Sequence, residues 1–238
     1  MKSLIALFFI LLTPAMVFAK PLVADLSQYK IEIDSGFNGT RLLLFGARNE
    51  TGDIVVAVRG PEKSITVRKK DRIFGVWMNN EKQKFDDVPT YYIIASSKPL
   101  KDMNYPELFK SLHIGFQEAL NSSGEKENKF SDALVHYEQI HNLYSETASK
   151  VSFMGESLFK FVIPFPDNIP RGNYSADVYL FNDGQLTSMQ SIPIEVQKTG
   201  LDAFLYDFAH SSSVIYGLFC VLLALLMGWG ASSLMSRI

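Results

Sequence analysis

The chain has 238 residues, 47% of them hydrophobic and 20% charged, with a formal net charge of −2. This is globular composition, not disordered composition, and no basic excess recommends a nucleic acid as partner. Cysteine occurs once, at Cys220 inside a C-terminal apolar run, so the rest of the chain can build neither an intrachain disulfide nor a thiolate metal site.

Residues 1–19 read MKSLIALFFILLTPAMVFA. Lys2 gives a positive start, Leu4 to Leu12 an apolar stretch, and Val17-Phe18-Ala19 a small-residue cleavage pattern, as in a secretory signal peptide. Thr13-Pro14 interrupts the apolar part. The expectation is a chain exported beyond Ala19.

Short strands follow. Tyr29, Ile31 and Ile33 alternate with Lys30, Glu32 and Asp34, the pattern of a strand with one wet face. Leu42–Phe45, Ile54–Val58, Ile65–Val67, Ile73–Met78 and Tyr91–Ala95 are further short apolar or alternating runs. Leu158–Ile163, Tyr174–Phe181 and Met189–Val196 resume the series later. Asn182-Asp183-Gly184 supplies a tight hairpin turn between the last two, because Gly and Asn tolerate positive φ. Pro164, Pro166 and Pro170 exclude a central strand there and point to a corner or an edge. Asp86-Asp87 reads as a polar turn before Val88-Pro89.

The gap between the two series reads as helical. Asn104 can cap, Pro106 fits a first turn, and Glu107 can close the box; Leu108, Leu112, Phe116 and Ala119 follow at helical spacing. After a polar loop, Asn121 to Lys129, a second helix is expected from about Ser131 to Ala148, with Leu134, Tyr137, His141 and Tyr144 on its apolar side. The predicted fold is mainly β: an immunoglobulin-like antiparallel β-sandwich over residues 20–205 with a helical insert at about 104–148.

A juxtamembrane linker is expected at 206–213 and a transmembrane helix at 214–235. The run from Val214 to Met235 carries no charge and is long enough to cross about 30 Å of hydrocarbon. Arg237 flanks its far end, so the positive-inside rule places residues 236–238 in the cytoplasm and the body outside. Within the run, Gly217, Cys220, Ala224, Gly228 and Ala231 recur at spacings of three and four. Such a stripe of small side chains lets a second helix approach closely in lipid, making it a candidate helix–helix contact.

The segments LSQYKIEIDSGFNGTRLLLFGA, GDIVVAVRGP, VPTYYIIASSKPL, LYSETASKVSFMGESLFKFVIPFPDNIPRGNYSADVYLFNDG and LYDFAHSSSVIYGLF resemble, in this order, the alphaproteobacterial putative transmembrane protein family. The resemblance covers almost the whole chain after residue 19. It implies a bacterial inner-membrane anchor with a periplasmic body, and a transport-associated setting beside a permease. It carries over no catalytic residue.

Candidate chemistry is sparse. His136 and His141 are five apart, about 140° around a helix, which suits a shared metal poorly. No G-x-S-x-G elbow, phosphate loop or dinucleotide fingerprint occurs, and no catalytic residue, metal or cofactor is assigned. Lys63, Arg68, Lys69, Lys70 and Arg72 could bind an anion, a headgroup or an acidic partner, or could protect a solvated hairpin edge. The expected function is a non-enzymatic interaction module for another inner-membrane protein, such as a permease, or for self-association. The alternative is a periplasmic binder of a small anion, such as a sulfur oxyanion, with Arg59 and Arg72 converging on it. Exposed aromatics beside Trp77, Tyr91 or Tyr105 would mark a docking surface.

Overall fold

The computed structural model describes residues 20–73, 75–120 and 129–235. The signal-type segment 1–19, the polar loop 121–128 and the tail 236–238 lie outside the described residues. The strands are β1 (Leu22–Leu26), β2 (Lys30–Ile33), β3 (Thr40–Arg48), β4 (Asp53–Arg59), β5 (Glu62–Ile73), β6 (Val76–Pro89), β7 (Tyr92–Ser96), β8 (Ser149–Lys150), β9 (Ser152–Met154), β10 (Leu158–Phe165), β11 (Gly172–Asn182) and β12 (Gln185–Lys198). The helices are α1 (Pro106–Ser111), α2 (Phe116–Leu120), α3 (Lys129–Ile140), α4 (Leu201–Ser211) and α5 (Ser213–Met235).

Two sheets form a sandwich. One has the order β1-β3-β10-β9, the other β2-β12-β11-β4-β7-β8. In β10 the period of two is complete: Phe159, Phe161, Ile163 and Phe165 are buried while Leu158, Lys160, Val162 and Pro164 face out. The sheets meet through such inner faces, with Phe165 stacked on Tyr91 at 5.2 Å between ring centroids. Gln190 of β12 crosses the gap, accepting from the Ala24 N–H at 2.9 Å and donating to the Ala24 carbonyl at 2.7 Å. Each large apolar side chain buried here stabilises the fold by about 1.5–3 kcal/mol relative to exposure.

The second sheet is covered on both sides. β4 is buried from Ile54 to Val58 and β7 throughout, without alternation. The helical insert supplies the outer cover. Phe109 meets Phe181 edge-on at 5.6 Å, Tyr105 stacks on Phe181 at 5.6 Å, and Phe116 meets Tyr92 at 5.7 Å. Pro164 pairs only with Arg41 of β3, because β9 stops at the level of Lys160. Its missing N–H therefore costs no ladder bond, in agreement with the edge reading. The Asn182–Gly184 turn is also as expected, with Asp183 at φ 45° and Gly184 at φ 83°.

Five local expectations need correction. Asn104 does not cap: it adopts φ 52°, and α1 starts from Tyr105 without a side-chain cap bond. The first helix is split, because His113 and Gly115 take positive φ and the His113 carbonyl accepts from side chains instead of from the next helical turn. The second helix stops at Ile140; the chain then turns at Asn142 and lies beside β7, with the Tyr92 N–H donating to Leu143 O at 2.9 Å and Ser145 N–H to Tyr92 O at 3.2 Å. Tyr144, expected on a helical face, is thus a buried neighbour of the sheet. Asp86 and Asp87 are not a turn: β6 runs through them, and irregular pairing opposite Lys63–Ile65, with Asp87 at φ 54°, absorbs the extra residue. The reversal comes earlier, at Gly75 (φ 84°), so the run expected as one strand over Ile73–Met78 contains the tip of a hairpin. Residues 206–211 of the expected juxtamembrane linker are helical, as part of α4, and the break before α5 is at Ser212.

Candidate functional site

The sequence-predicted cations separate into two groups. Arg59, at the end of β4, turns onto the helix-covered side of its sheet. Its guanidinium pairs with Asp177 at 2.5 Å, donates to the Leu112 and His113 carbonyls at 3.0 and 3.1 Å, and reaches Tyr179 Oη at 3.3 Å. Asp177 also accepts from Ser191 at 2.5 Å and Ser175 at 3.3 Å. Burial opposes the Arg59 charge, but Tyr92, Tyr179 and Asp177 outweigh it and hold its pKa above the ordinary arginine value. Tyr92 donates to His113 O at 2.9 Å and accepts from Gly115 N–H at 3.0 Å, and burial pushes its phenol up to about 12. This cluster is a clamp that fastens the α1–α2 junction to the sheet. Arg59 is committed to it and does not converge with Arg72.

Arg68, Lys69, Lys70 and Arg72 lie on the β5–β6 hairpin, a two-stranded sheet of its own. Lys69 pairs with Asp71 at 3.3 Å, and the Asn80 amide also donates to Asp71 at 3.1 Å; these two partners hold the Asp71 carboxyl below its usual range. At the tip Val76, Trp77 and Met78 are 61%, 68% and 52% exposed. Of the three aromatics singled out from the sequence, only Trp77 is fully exposed, and Tyr105 is half-buried. Tyr91 is buried, and Tyr105 packs on Phe109 and Phe181.

A third feature escaped the sequence reading. The outer face of the β1-β3-β10-β9 sheet is apolar where water should favour polar residues. Val23, Phe45, Leu158, Val162 and Met154 are between 43% and 52% exposed, with Leu43 at 37%. Val23, Leu43, Phe45, Met154 and Leu158 line one depression of about 450 Å³; Val162 pairs with Leu43 beside it, and Lys160 faces out opposite Phe45. The outward positions of LVADL, TRLLLFGAR and LFKFVIPF carried the signal. It was legible only once the register was fixed, since Leu43 sits between two buried leucines and reads as core.

The small-residue stripe Gly217, Cys220, Ala224, Gly228 and Ala231 lies on α5 within an arc of roughly 80°. All five residues are exposed, and nothing approaches within 4 Å of a Cβ built on Gly217 or Gly228. Among the described residues α5 is the one helix long and apolar enough to cross a membrane, over Ser213–Ser232, and none of that window is buried. The profile of the Putative transmembrane protein family (Alph_Pro_TM) matches residues 21–237. The chain belongs to this family. No curated protein matches it. Family membership and an unburied apolar helix together describe a membrane protein.

The cavities on this family member's head are modest. One of about 510 Å³ is lined by Arg41, Gln139, Glu146 and backbone near Gly39. Another of about 450 Å³ holds Arg48, Asp53 and Lys98, but Arg48 is bonded to the Gly52 carbonyl and Lys98 to Asp53 at 3.1 Å. A third, about 630 Å³, gathers Lys98, Lys101 and Lys150 beside Ser97 and Thr147. The histidines are dispersed: His113 follows α1, His136 lies within α3, His141 just after it, and His210 is on α4.

Proposed function

We propose that this protein is a single-pass inner-membrane protein whose exported, periplasmic sandwich serves as a non-enzymatic accessory module for a transporter or another membrane complex. The partner docks on the outer face of the β1-β3-β10-β9 sheet. The carrying observation is the contiguous apolar surface of Val23, Leu43, Phe45, Met154, Leu158 and Val162. Exposed apolar patches of this kind mark contact sites, since scattered exposure alone would not place six large side chains together. A membrane protein fits as partner because α4 and α5 confine the sandwich to the bilayer surface, where encounters are two-dimensional and the effective concentration is high.

A photo-crosslinker at position 158 in native membranes tests this. The expected result is an adduct with one membrane protein, abolished by Phe45→Ser with Val162→Ser. An adduct that is insensitive to those changes, or none, would refute the docking face; an adduct with a second copy would make it a self-association surface. Protease added to spheroplasts should cleave the sandwich if it is exported.

An anion binder feeding a permease is the second reading; Lys101 and Lys150, which border the cavity beside Ser97 and Thr147, are its candidate cations, Lys98 being paired with Asp53. It predicts a thermal shift of the full chain with sulfite, sulfate or phosphate that Lys101→Ala and Lys150→Ala remove.

A further inference from the structure

The β5–β6 hairpin continues the β4–β7 pair. Gly60 N–H donates to Tyr91 O at 2.8 Å and Thr90 N–H to Pro61 O at 2.9 Å, so the ladder passes from one pair into the other. Its direction follows from topology. β12 runs toward Lys198 and leads into α4 and α5. β11 is antiparallel to β12, and β4 is antiparallel to β11, so β4 runs the same way as β12. Arg59 and Pro193 both pair with Ser175 and are therefore level. The Arg171 guanidinium lies 5.0 Å over the Tyr206 ring of α4, which places α4 beside the start of β11, at this same end. The hairpin thus leaves the sandwich at the end from which the membrane helix leaves. With 12 residues in β5 it spans about 40 Å, against about 16 Å for α4.

The register sorts its side chains. Lys82 pairs with Arg68, Lys84 with Thr66, Asn79 with Lys70 and Trp77 with Arg72. Directly paired residues share a face and neighbours alternate. One face therefore carries Arg68, Lys70, Arg72, Lys82, Lys84 and Trp77, with no carboxylate from Thr66 to Lys84. The other takes Lys69, Asp71 and Glu81, and the observed Lys69–Asp71 pair agrees with that assignment. Toward the base a carboxylate returns, where Lys84 reaches Asp86 at 2.6 Å. The basic face is exposed along its length, and its tip is Val76-Trp77-Met78.

From this juxtaposition we propose that the hairpin is a second membrane contact: its basic face lies on anionic lipid headgroups, and its Trp77 tip enters the interfacial zone of the bilayer that α5 crosses. Tryptophan favours that zone, and cations beside it are attracted to an anionic surface. Tethering through α4 and α5 makes the contact intramolecular, so a modest affinity suffices.

The test uses the full chain carrying Trp229→Phe, which leaves Trp77 as the single tryptophan. It is reconstituted in nanodiscs of phosphatidylcholine alone, or of phosphatidylcholine mixed with phosphatidylglycerol, with brominated acyl chains as quencher. In the mixed discs Trp77 emission should shift to the blue and be quenched, and both effects should fade in high salt or without phosphatidylglycerol. Arg68→Glu with Lys70→Glu should reduce the lipid-bound population by more than about tenfold, since each cation at an anionic surface counts for about fivefold. Solvent-like, unquenched emission in the mixed discs would overturn the proposal. So would equal quenching in both lipids, which removes headgroup charge from the explanation. A benzophenone at position 77 that forms a protein adduct in native membranes, in place of a lipid adduct, would overturn it as well.

Discussion

Replacing Asp177 by Asn keeps the side chain's size and removes the charge that neutralises Arg59. The Arg59 and Asp177 side chains are 19% and 9% exposed, so the pair is largely withdrawn from water. In the variant the guanidinium keeps the Leu112 and His113 carbonyls at 3.0 and 3.1 Å but loses its carboxylate. Breaking a buried pair from one side costs about 3–5 kcal/mol; the residual exposure of Arg59 places this case near the lower end. In a domain of this size each kcal/mol lowers the Tm by about 2–4 °C, so a drop of roughly 6–12 °C is expected by circular dichroism of the full chain in detergent. The clamp holds the α1–α2 junction, so amide exchange should accelerate first at Ile114 and Gly115. Arg59→Met with Asp177→Leu removes both charges and should recover most of the loss, because the desolvation cost disappears with the attraction. A fall below about 1 kcal/mol for Asp177→Asn, or a double variant no better than the single one, would refute a buried charge clamp.

Burial raises the Glu138 carboxyl above its ordinary value, with Lys63 and His141 opposing that shift. A carboxyl with a raised folded pKa binds more protons folded than unfolded, so stability is present at low pH and falls as pH rises above the unfolded value. Glu138→Gln should therefore be more stable than the parent at neutral pH and lose that advantage in acid, as read from urea midpoints across pH. At Gly46 a Cβ would stand 2.5 Å from Phe159 Cζ and from the Val23 carbonyl. Gly46→Val should cost about 1–3 kcal/mol, seen as a lower denaturant midpoint with unchanged slope. Gly228→Leu meets open space in the isolated chain, so head stability should stay constant while crosslinking of α5 to a neighbouring helix falls.

The sequence exposed what depends on periodicity and little of what depends on register. Most sandwich strands, though not β1, β8 or β9, the Asn182–Gly184 turn and the span could be read because each leaves a local signature: alternation, a positive-φ dipeptide, an uncharged apolar run. The hairpin could be read only in part, as a solvated edge over Lys63–Arg72; its length and tip could not, because two irregular pairings, at Lys63–Ile65 and Lys69–Lys70, break the period within short windows. Arg59 and Asp177 are 118 residues apart, and no local pattern announces that they meet. In the sequence Arg59 is only a candidate to converge with Arg72 on an anion; its pairing with Asp177 shows in the fold alone. The apolar outer sheet face was hidden for the opposite reason, since Leu42, Leu43 and Leu44 look equally buried until pairing decides which one points outward.

The two proposed surfaces make a joint demand. A sandwich held only through α4 and α5 could swing about the break at Ser212, presenting its apolar sheet to the bilayer, to solvent and to a partner in turn. A second contact through the hairpin, on a different strand pair but at the same end of the sandwich, would remove most of that rotation. Restricting orientation before binding lowers the entropic cost of docking, which otherwise consumes much of what an interface gains. The hairpin should therefore influence the outer face without touching it. Arg68→Glu with Lys70→Glu, combined with the crosslinker at position 158, should lower the partner adduct severalfold while the Tm and the apolar surface stay unchanged. If adduct yield is indifferent to hairpin charge although Trp77 has left the lipid, orientation is set elsewhere and the two surfaces work independently.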